Sequence, residues 1–538
     1  MQEVQEQKHD GLYKWLALFV VVIGTFMAIL DSAIVNIAIP KIMAVFGVSL
    51  DDVKWILTAY TLALGAIIPL TGFLSEIFGS KKIYMSALAM FTLGSLLCGF
   101  AWNNTSMIIF RVIQALGGGM IMPVGMQIIF QIFPPHERGK ALGFWGIASM
   151  AAPAIGPTLG GYIIEHLDWR LIFTVNVPIG VFGVIMAGLL LKKSPTKPFH
   201  SFDVIGFLSS TVGIVCILYV LGEGTNIDWG DIKNPLLMVL GCISLVLFVV
   251  NELSHPNPLL ELRIFKALNF TISQLVTCIT TLALMGGVYV LPLFLQNIRG
   301  YTAMETGVIL FPSAIASGIM MPISGALFDK FGAKPVTIPG LIILAVTSYE
   351  LSFLSMDMTR ETITIIATIR GLAMGLCMMP VNTAGMNSVP HHLVGKASAL
   401  SNTIRQIMAS LSVTIMTTIL QDKLSNNYAR LAEQVTPFNQ TATDVLKQLQ
   451  GLYMQNGLSS GEAQGAAFST LAGFAQRQAY IDAMDFAVAM TSVVVVAAII
   501  MVLFMQDKKI SKEQPSGNKS QDKESADEPE AGFTVIAE

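Results

Sequence analysis

Long apolar runs recur along the chain between short polar stretches. Fourteen reach bilayer-spanning length: 15–39, 54–74, 83–101, 106–131, 141–163, 171–191, 204–222, 235–252, 270–294, 306–328, 336–356, 362–386, 398–420 and 484–505. A helix rises ~1.5 Å per residue and the hydrocarbon core is ~30 Å thick, so about twenty apolar residues cross it. The pattern predicts an all-α polytopic membrane protein with fourteen transmembrane helices. An even count returns both termini to one side. The short loops on that side hold twelve Lys and Arg residues against six on the other, which places both termini in the cytoplasm.

Two segments break the pattern. Residues 421–483 form a polar external insert, with Leu424, Tyr428, Leu431 and Val435 at helical spacing before a Thr436-Pro437-Phe438 break. Amphipathic helices lying on the outer face, or on a partner protein, suit this spacing. Residues 506–538 are rich in Ser, Lys, Glu and Asp and read as a disordered cytoplasmic tail. The expected organisation is a cytoplasmic N-terminus (1–14), a six-helix half (15–191), two extra helices (192–252) and a second six-helix half (253–505) that carries the insert.

A repeat supports this division. Gly72-Phe73-Leu74-Ser75-Glu76-Ile77-Phe78-Gly79-Ser80-Lys81-Lys82 closes the second span, and Gly325-Ala326-Leu327-Phe328-Asp329-Lys330-Phe331-Gly332-Ala333-Lys334 closes the tenth, 253 residues later. Repeated six-span halves are the mark of a transporter that rocks around a midplane site. The two surplus spans fall between the halves.

Composition agrees with a membrane protein, since 53% of the 538 residues are hydrophobic and 12% charged. The net charge of -3 gives no reason to expect nucleic-acid binding. The five cysteines sit in apolar runs without metal-ligand spacing and read as small buried hydrophobes. No phosphate-binding loop or nucleophile-base motif points to an enzyme.

Candidate chemistry lies in charges inside the spans. Asp31 is the one charged residue between Trp15 and Ile39. An ionisable group there costs at least ~2.5 kcal/mol and so commonly handles ions, protons or substrate. Shifted by 252 residues, Asp31 falls on the apolar Ala283, so the repeat itself does not demand a carboxylate. Depth counting puts Asp31 ~12 Å and Arg111 ~8 Å from the outer ends of their spans, within reach of each other on neighbouring helices. The pair suits either proton uptake and release or a static ion pair. Glu350 and Arg370 form a second candidate pair, for substrate or for structure, and Arg405 is a further buried cation without an evident partner. In the stretch 146–161, Gly156 and Gly160 present a small-residue face and Pro153 and Pro157 bend the span.

Together these segments resemble the major facilitator superfamily over roughly residues 12–505, and within it the fourteen-span drug:proton antiporters of the EmrB and QacA type. Leu30-Asp31 through Pro40 resembles the family's first-span motif. Gly72, Glu76, Gly79 and Lys82, with Gly325, Asp329 and Gly332 in the repeat, resemble its cytoplasmic gating motif, although Ser80 stands where a basic residue is common. Arg111, Gln114 and Gly117 resemble the fourth-span motif linked to proton transfer. Gly146, Pro153, Gly156, Pro157, Gly160 and Gly161 resemble the fifth-span antiporter motif, and Trp169 through Gly180 the opening of the sixth span. The resemblance implies a multidrug exporter in the bacterial cytoplasmic membrane. It would exchange lipophilic or cationic compounds for protons by alternating access, without cofactor or metal. The insert looks closest to EmrB-type members, which implies a periplasmic adaptor and an outer-membrane channel as partners. Two alternatives are a narrow exporter of a metabolite, fatty acid or siderophore, and a membrane ligand sensor that does not transport.

Overall fold

The computed structural model describes residues 2–194, 196–198, 201–222, 227, 230–436 and 438–506, so the 507–538 part of the tail and Pro437 lie outside the described residues. The described chain is helical throughout. The first half comprises α1 (Gln2–Phe46), α2 (Leu50–Ile67), α3 (Leu70–Phe78), α4 (Ser80–Gly99), α5 (Asn104–Ile132), α6 (Arg138–His166), α7 (Leu171–Thr174) and α8 (Asn176–Leu190). The extra helices are α9 (Val204–Gly222) and α10 (Lys233–Ser254). The second half begins with α11 (Leu268–Met285), which runs on through a π-helical turn, the short α12 (Leu291–Leu293) and a second π turn to Ile298. It continues with α13 (Ala303–Phe331), α14 (Lys334–Glu350), α15 (Arg360–Asn387), α16 (Val394–Glu433), α17 (Gln440–Gln455) and α18 (Ser460–Leu503).

Local chemistry sets several of these boundaries. Asn103 and Ser106 form a capping box at the start of α5, and Thr302 with Glu305 does the same for α13. The α2–α3 pair bends by 55° just before Pro69 begins α3. Gly79 and Gly332 end the two repeated segments at φ +84° and +88°, a conformation that favours glycine.

Every predicted span overlies a helix, but the count of fourteen is not reached on length and apolarity. Among the described residues, twelve helices can cross a bilayer by themselves, and a thirteenth crossing arises if the bent α2–α3 pair is one span. The shortfall is α14, whose 17 residues rise only ~26 Å, less than the ~30 Å core. The 421–483 insert is also less separate than its sequence suggests. α16 extends unbroken to Glu433 and α18 begins at Ser460, so two membrane helices continue into the insert and α17 packs on one of them, with Tyr453 and Thr470 sharing a 2.7 Å hydrogen bond.

The halves meet along α6 and α13, and along α16 against α3 and α5. α9 packs on α2 and α16, and α10 on α9. Lys14 of α1 pairs with Glu137, which precedes α6, and the Gln506 amide donates to Asn269 at the start of α11 (2.8 Å). His136, Asp329 and Gln506 line one cavity, so both described chain ends lie at one end of the bundle, the terminal face.

Glycines let helices approach where the site is built. A Cβ on Gly94 of α4 would overlap the backbone of Gln114 in α5, and one on Gly117 would overlap α4 at Ala87 and Phe91. Gly94→Val is therefore expected to force α4 from α5 at an overpacking cost of about 1–3 kcal/mol, read as a lower melting temperature in detergent.

Candidate functional site

Asp31 lies in the middle of α1 and is fully buried, as are Arg111 and Gln114 on α5 and Ser95 on α4 (each 0% exposed). Arg111 Nη1 donates to Asp31 Oδ2 at 2.6 Å and to Gln114 Oε1 at 2.7 Å. Gln114 Nε2 and Asn176 Nδ2 each donate to Asp31 Oδ1 at 2.9 Å. Both amides also approach Ser95 Oγ, at 2.5 and 3.2 Å. The Tyr60 ring of α2 lies under the guanidinium, 3.9 Å from centroid to Cζ, a desolvated cation–π contact.

Five helices thus converge on one carboxylate: α1 supplies it, and α2, α4, α5 and α8 surround it. The positive charge comes from Arg111 on Oδ2, and the two amides serve Oδ1, the kind of added hydrogen bonding that a buried ion pair requires. Two polar atoms stay without hydrogen-bond partners, Arg111 Nε and Asn176 Oδ1. Sequence reasoning reached Asp31, Arg111 and Gln114. It missed Ser95, Tyr60 and Asn176 as site residues, although Asn176 lies within the sixth-span segment singled out above.

The second half contains the same helix crossing without the acid. Arg370 of α15 points at α11, but its Nη2 donates to the carbonyl oxygen of Ala283, the residue that the repeat aligns with Asp31. Its Nε reaches Ser348 Oγ at 3.5 Å. Gly287, in the π turn just beyond, makes room, because a Cβ there would overlap the guanidinium. The predicted Glu350–Arg370 pair is therefore not formed: Glu350 is exposed at the end of α14, and its helix turns Ser348 toward Arg370 instead. Arg405 is half-buried and bonds to Asn402 one turn earlier in α16, with no carboxylate partner among the described residues.

The two repeated segments sit at the terminal face but make different contacts. Asp329 accepts from the backbone amides of Gly139 and Lys140, both at 3.0 Å, at the start of α6 in the other half. An anion at a helix N-terminus is favoured by the unpaired amides and the dipole. Gly325 and Gly139 face each other so closely that a Cβ on either would overlap the other's carbonyl oxygen. Glu76 instead bonds Lys197 of the segment after α8, through side chain (3.1 Å) and backbone (2.8 Å). Gly72 lies against the backbone of Lys396 in α16, and Lys82 is exposed.

The glycines of α6 serve two neighbours. Gly146 packs on Met321 of α13, whereas Gly156 and Gly160 pack on Ala33 and Ile34 of α1, directly after Asp31. Pro153 is exposed, a Cβ on Gly161 would meet open space, and the side chain of Pro157 lies outside the described residues.

Comparison with known proteins places this architecture. The profile of the Major Facilitator Superfamily matches residues 21–413. The chain is 38% identical over 496 residues to the uncharacterized MFS-type transporter YhcA of Bacillus subtilis (strain 168), covering 92% of this chain and 93% of that one. It is 32% identical over 464 residues to the multidrug export protein EmrB of Escherichia coli (strain K12), covering 85% and 90%. A double-tryptophan mutant of XylE shares the fold at a TM-score of 0.62 and 14% identity, over 93% of this chain and 97% of that one. With an all-helical membrane architecture built around a repeated segment, and a family profile matching residues 21–413, the chain belongs to the Major Facilitator Superfamily of membrane transporters.

Proposed function

We propose that this chain is a multidrug exporter of the bacterial cytoplasmic membrane that exchanges lipophilic, cationic or amphipathic compounds for protons, with both termini in the cytoplasm. The observation that carries the reading is the fully buried Asp31–Arg111 pair, with Gln114 and Asn176 on the same carboxylate. While Arg111 is bonded to it, the Asp31 carboxylate is neutralised in place. A movement that draws α5 from α1 would leave a buried anion, and a proton then takes the place of the guanidinium. Proton binding thereby favours one arrangement of the halves over the other, which is the differential affinity that coupling requires.

The Asp329 and Gly139–Gly325 contacts close the cytoplasmic end in this reading, and drug enters a central cavity when they part. The likeness to EmrB supports export of more than one compound. The projecting α16–α18 insert is where a periplasmic adaptor, itself joined to an outer-membrane channel, would dock. No cofactor or metal enters this scheme.

Dye efflux from reconstituted vesicles under an imposed pH gradient tests the reading. Efflux is expected to collapse with a protonophore, and chemically unrelated compounds are expected to compete. Efflux that survives the protonophore, or competition confined to one compound, would overturn it.

A further inference from the structure

The two extra helices carry a buried acid pair that the coupling site does not use. Glu252, near the end of α10, is 0% exposed, and Asp203, just before α9, is 4% exposed. Asp203 Oδ1 accepts from the Gly206 amide and Oδ2 from Asn251 Nδ2, both at 2.7 Å. Glu252 Oε2 accepts from the Leu260 amide at 3.1 Å, while Glu252 Oε1 has no hydrogen-bond partner. That unpartnered oxygen and Asp203 Oδ2 both border the open side of Gly206, where a Cβ would touch each of them. Two facing buried carboxylates repel when both are ionised. A single proton on Glu252 Oε1 turns the repulsion into an O–H···O hydrogen bond to Asp203 and satisfies the orphan oxygen.

Other charged groups face this pair without neutralising it. Lys396 of α16 is buried, but its Nζ donates to the Pro258 carbonyl (2.8 Å) rather than to either acid. On the segment after α10, Glu261 faces Arg263 at 3.9 Å and His255 Nδ1 accepts from the Asn257 amide. Glu76 of α3 is bonded to Lys197.

The pair also touches the contact between the halves from two sides. Phe202, beside Asp203, packs on Phe73 of α3 with ring centroids 5.1 Å apart and the planes tilted by 58°. Lys396, beside Glu252, lies with its backbone against Gly72, the residue before Phe73.

We propose that Glu252 and Asp203 bind one proton between them at the terminal end of the extra helices, and that this proton holds α3 and α16 together. Loss of the proton leaves two facing anions. Glu252 then draws Lys396 off the Pro258 carbonyl, and α16 moves from α3. The extra helices thereby act as a sensor of pH on the terminal side, separate from the Asp31 site.

Spin labels at Phe78 on α3 and at His392, just before α16, report this contact in the full-length protein. Their separation is expected to lengthen as pH rises in the wild type. Glu252→Gln keeps a donor toward Asp203 and is expected to hold the short, low-pH distance at every pH; Asp203→Asn, which offers its own amide to Glu252, is expected to do the same and serves if the first variant does not fold. Wild-type titration in both variants would overturn the proposal. A transition abolished by Asp31→Asn and untouched by both of these variants would overturn it too, and would assign the pH response to the coupling site. The proposal survives loss of the Asp31 reading if Glu252→Gln alone flattens the titration.

Discussion

Asp31→Asn is expected to abolish pH-gradient-driven efflux and, at the same time, to lower the melting temperature of the solubilised protein. Asparagine fills the same space and can still accept from Gln114 or Asn176. It leaves Arg111, fully buried against the Tyr60 ring, without a counter-charge. Breaking a buried ion pair by removing one partner costs about 3–5 kcal/mol, because the remaining charge stays desolvated. Stability alone therefore cannot distinguish a coupling group from a static pair, and the double variant Asp31→Asn, Arg111→Gln makes the distinction. With both charges gone the desolvation cost disappears, so most of the lost stability is expected to return, as a double-mutant cycle in the melting temperature would show. Gradient-driven efflux is expected to stay absent in the double variant. Recovery of efflux along with stability would make the pair structural and remove Asp31 from the proton path.

How much of this was legible in the sequence follows from what hydropathy can encode. The apolar runs marked every spanning helix, and the depth count brought Asp31 and Arg111 together, because position along a helix is linear in residue number. Position around a helix was harder. Glu350 and Ser348 are two residues apart and so point about 200° apart, and only Ser348 turns to Arg370. Depth counting gave these two helices the right level and the wrong face. Ser95, Tyr60 and Asn176 escaped because uncharged polar residues are tolerated in spans and break no pattern. The orphan oxygen of Glu252 escaped for another reason, since Asp203 precedes one span, Glu252 closes the next, and only the α9–α10 packing joins them.

The repeat illustrates the same limit. Gly72–Lys82 and Gly325–Lys334 match in sequence and turn at glycines of matching φ, yet Glu76 bonds Lys197 of the segment leading to the extra helices while Asp329 crosses to α6. A motif fixes the local turn, whereas its partner depends on what the rest of the fold brings near. The segment after α8 lies over the first turn, where Ser194 bonds Ser80 at 2.7 Å, and so Glu76 meets Lys197 before any group of the second half.

The Asp329 contact gives the second large expected effect. Gly325→Val is expected to hold the terminal face open. The α6 and α13 backbones approach there with no side chain between them, and the Gly139 carbonyl oxygen occupies the place of a Cβ on Gly325. Valine cannot escape by rotation, since its Cβ position is set by the backbone. The helices must part, and parting them stretches the Asp329 bonds to the Gly139 and Lys140 amides. Overpacking of this kind costs about 1–3 kcal/mol, borne by the closed arrangement alone. A shift of that size changes a two-state equilibrium by roughly 5- to 150-fold. The measurement is the alkylation rate of a cysteine placed at Met150 in α6, with an impermeant reagent supplied from the terminal side. Gly325→Val is expected to raise that rate by about tenfold or more, a change of ~1.4 kcal/mol, and to depress efflux while leaving dye binding intact. Gly318→Ala on the same helix is the control, because its Cβ meets only Ile147 at an ordinary 3.9 Å. Equal alkylation in both variants would mean that the Gly139–Gly325 contact does not gate access from that face, and the Asp329 bonds would then be a brace between the halves.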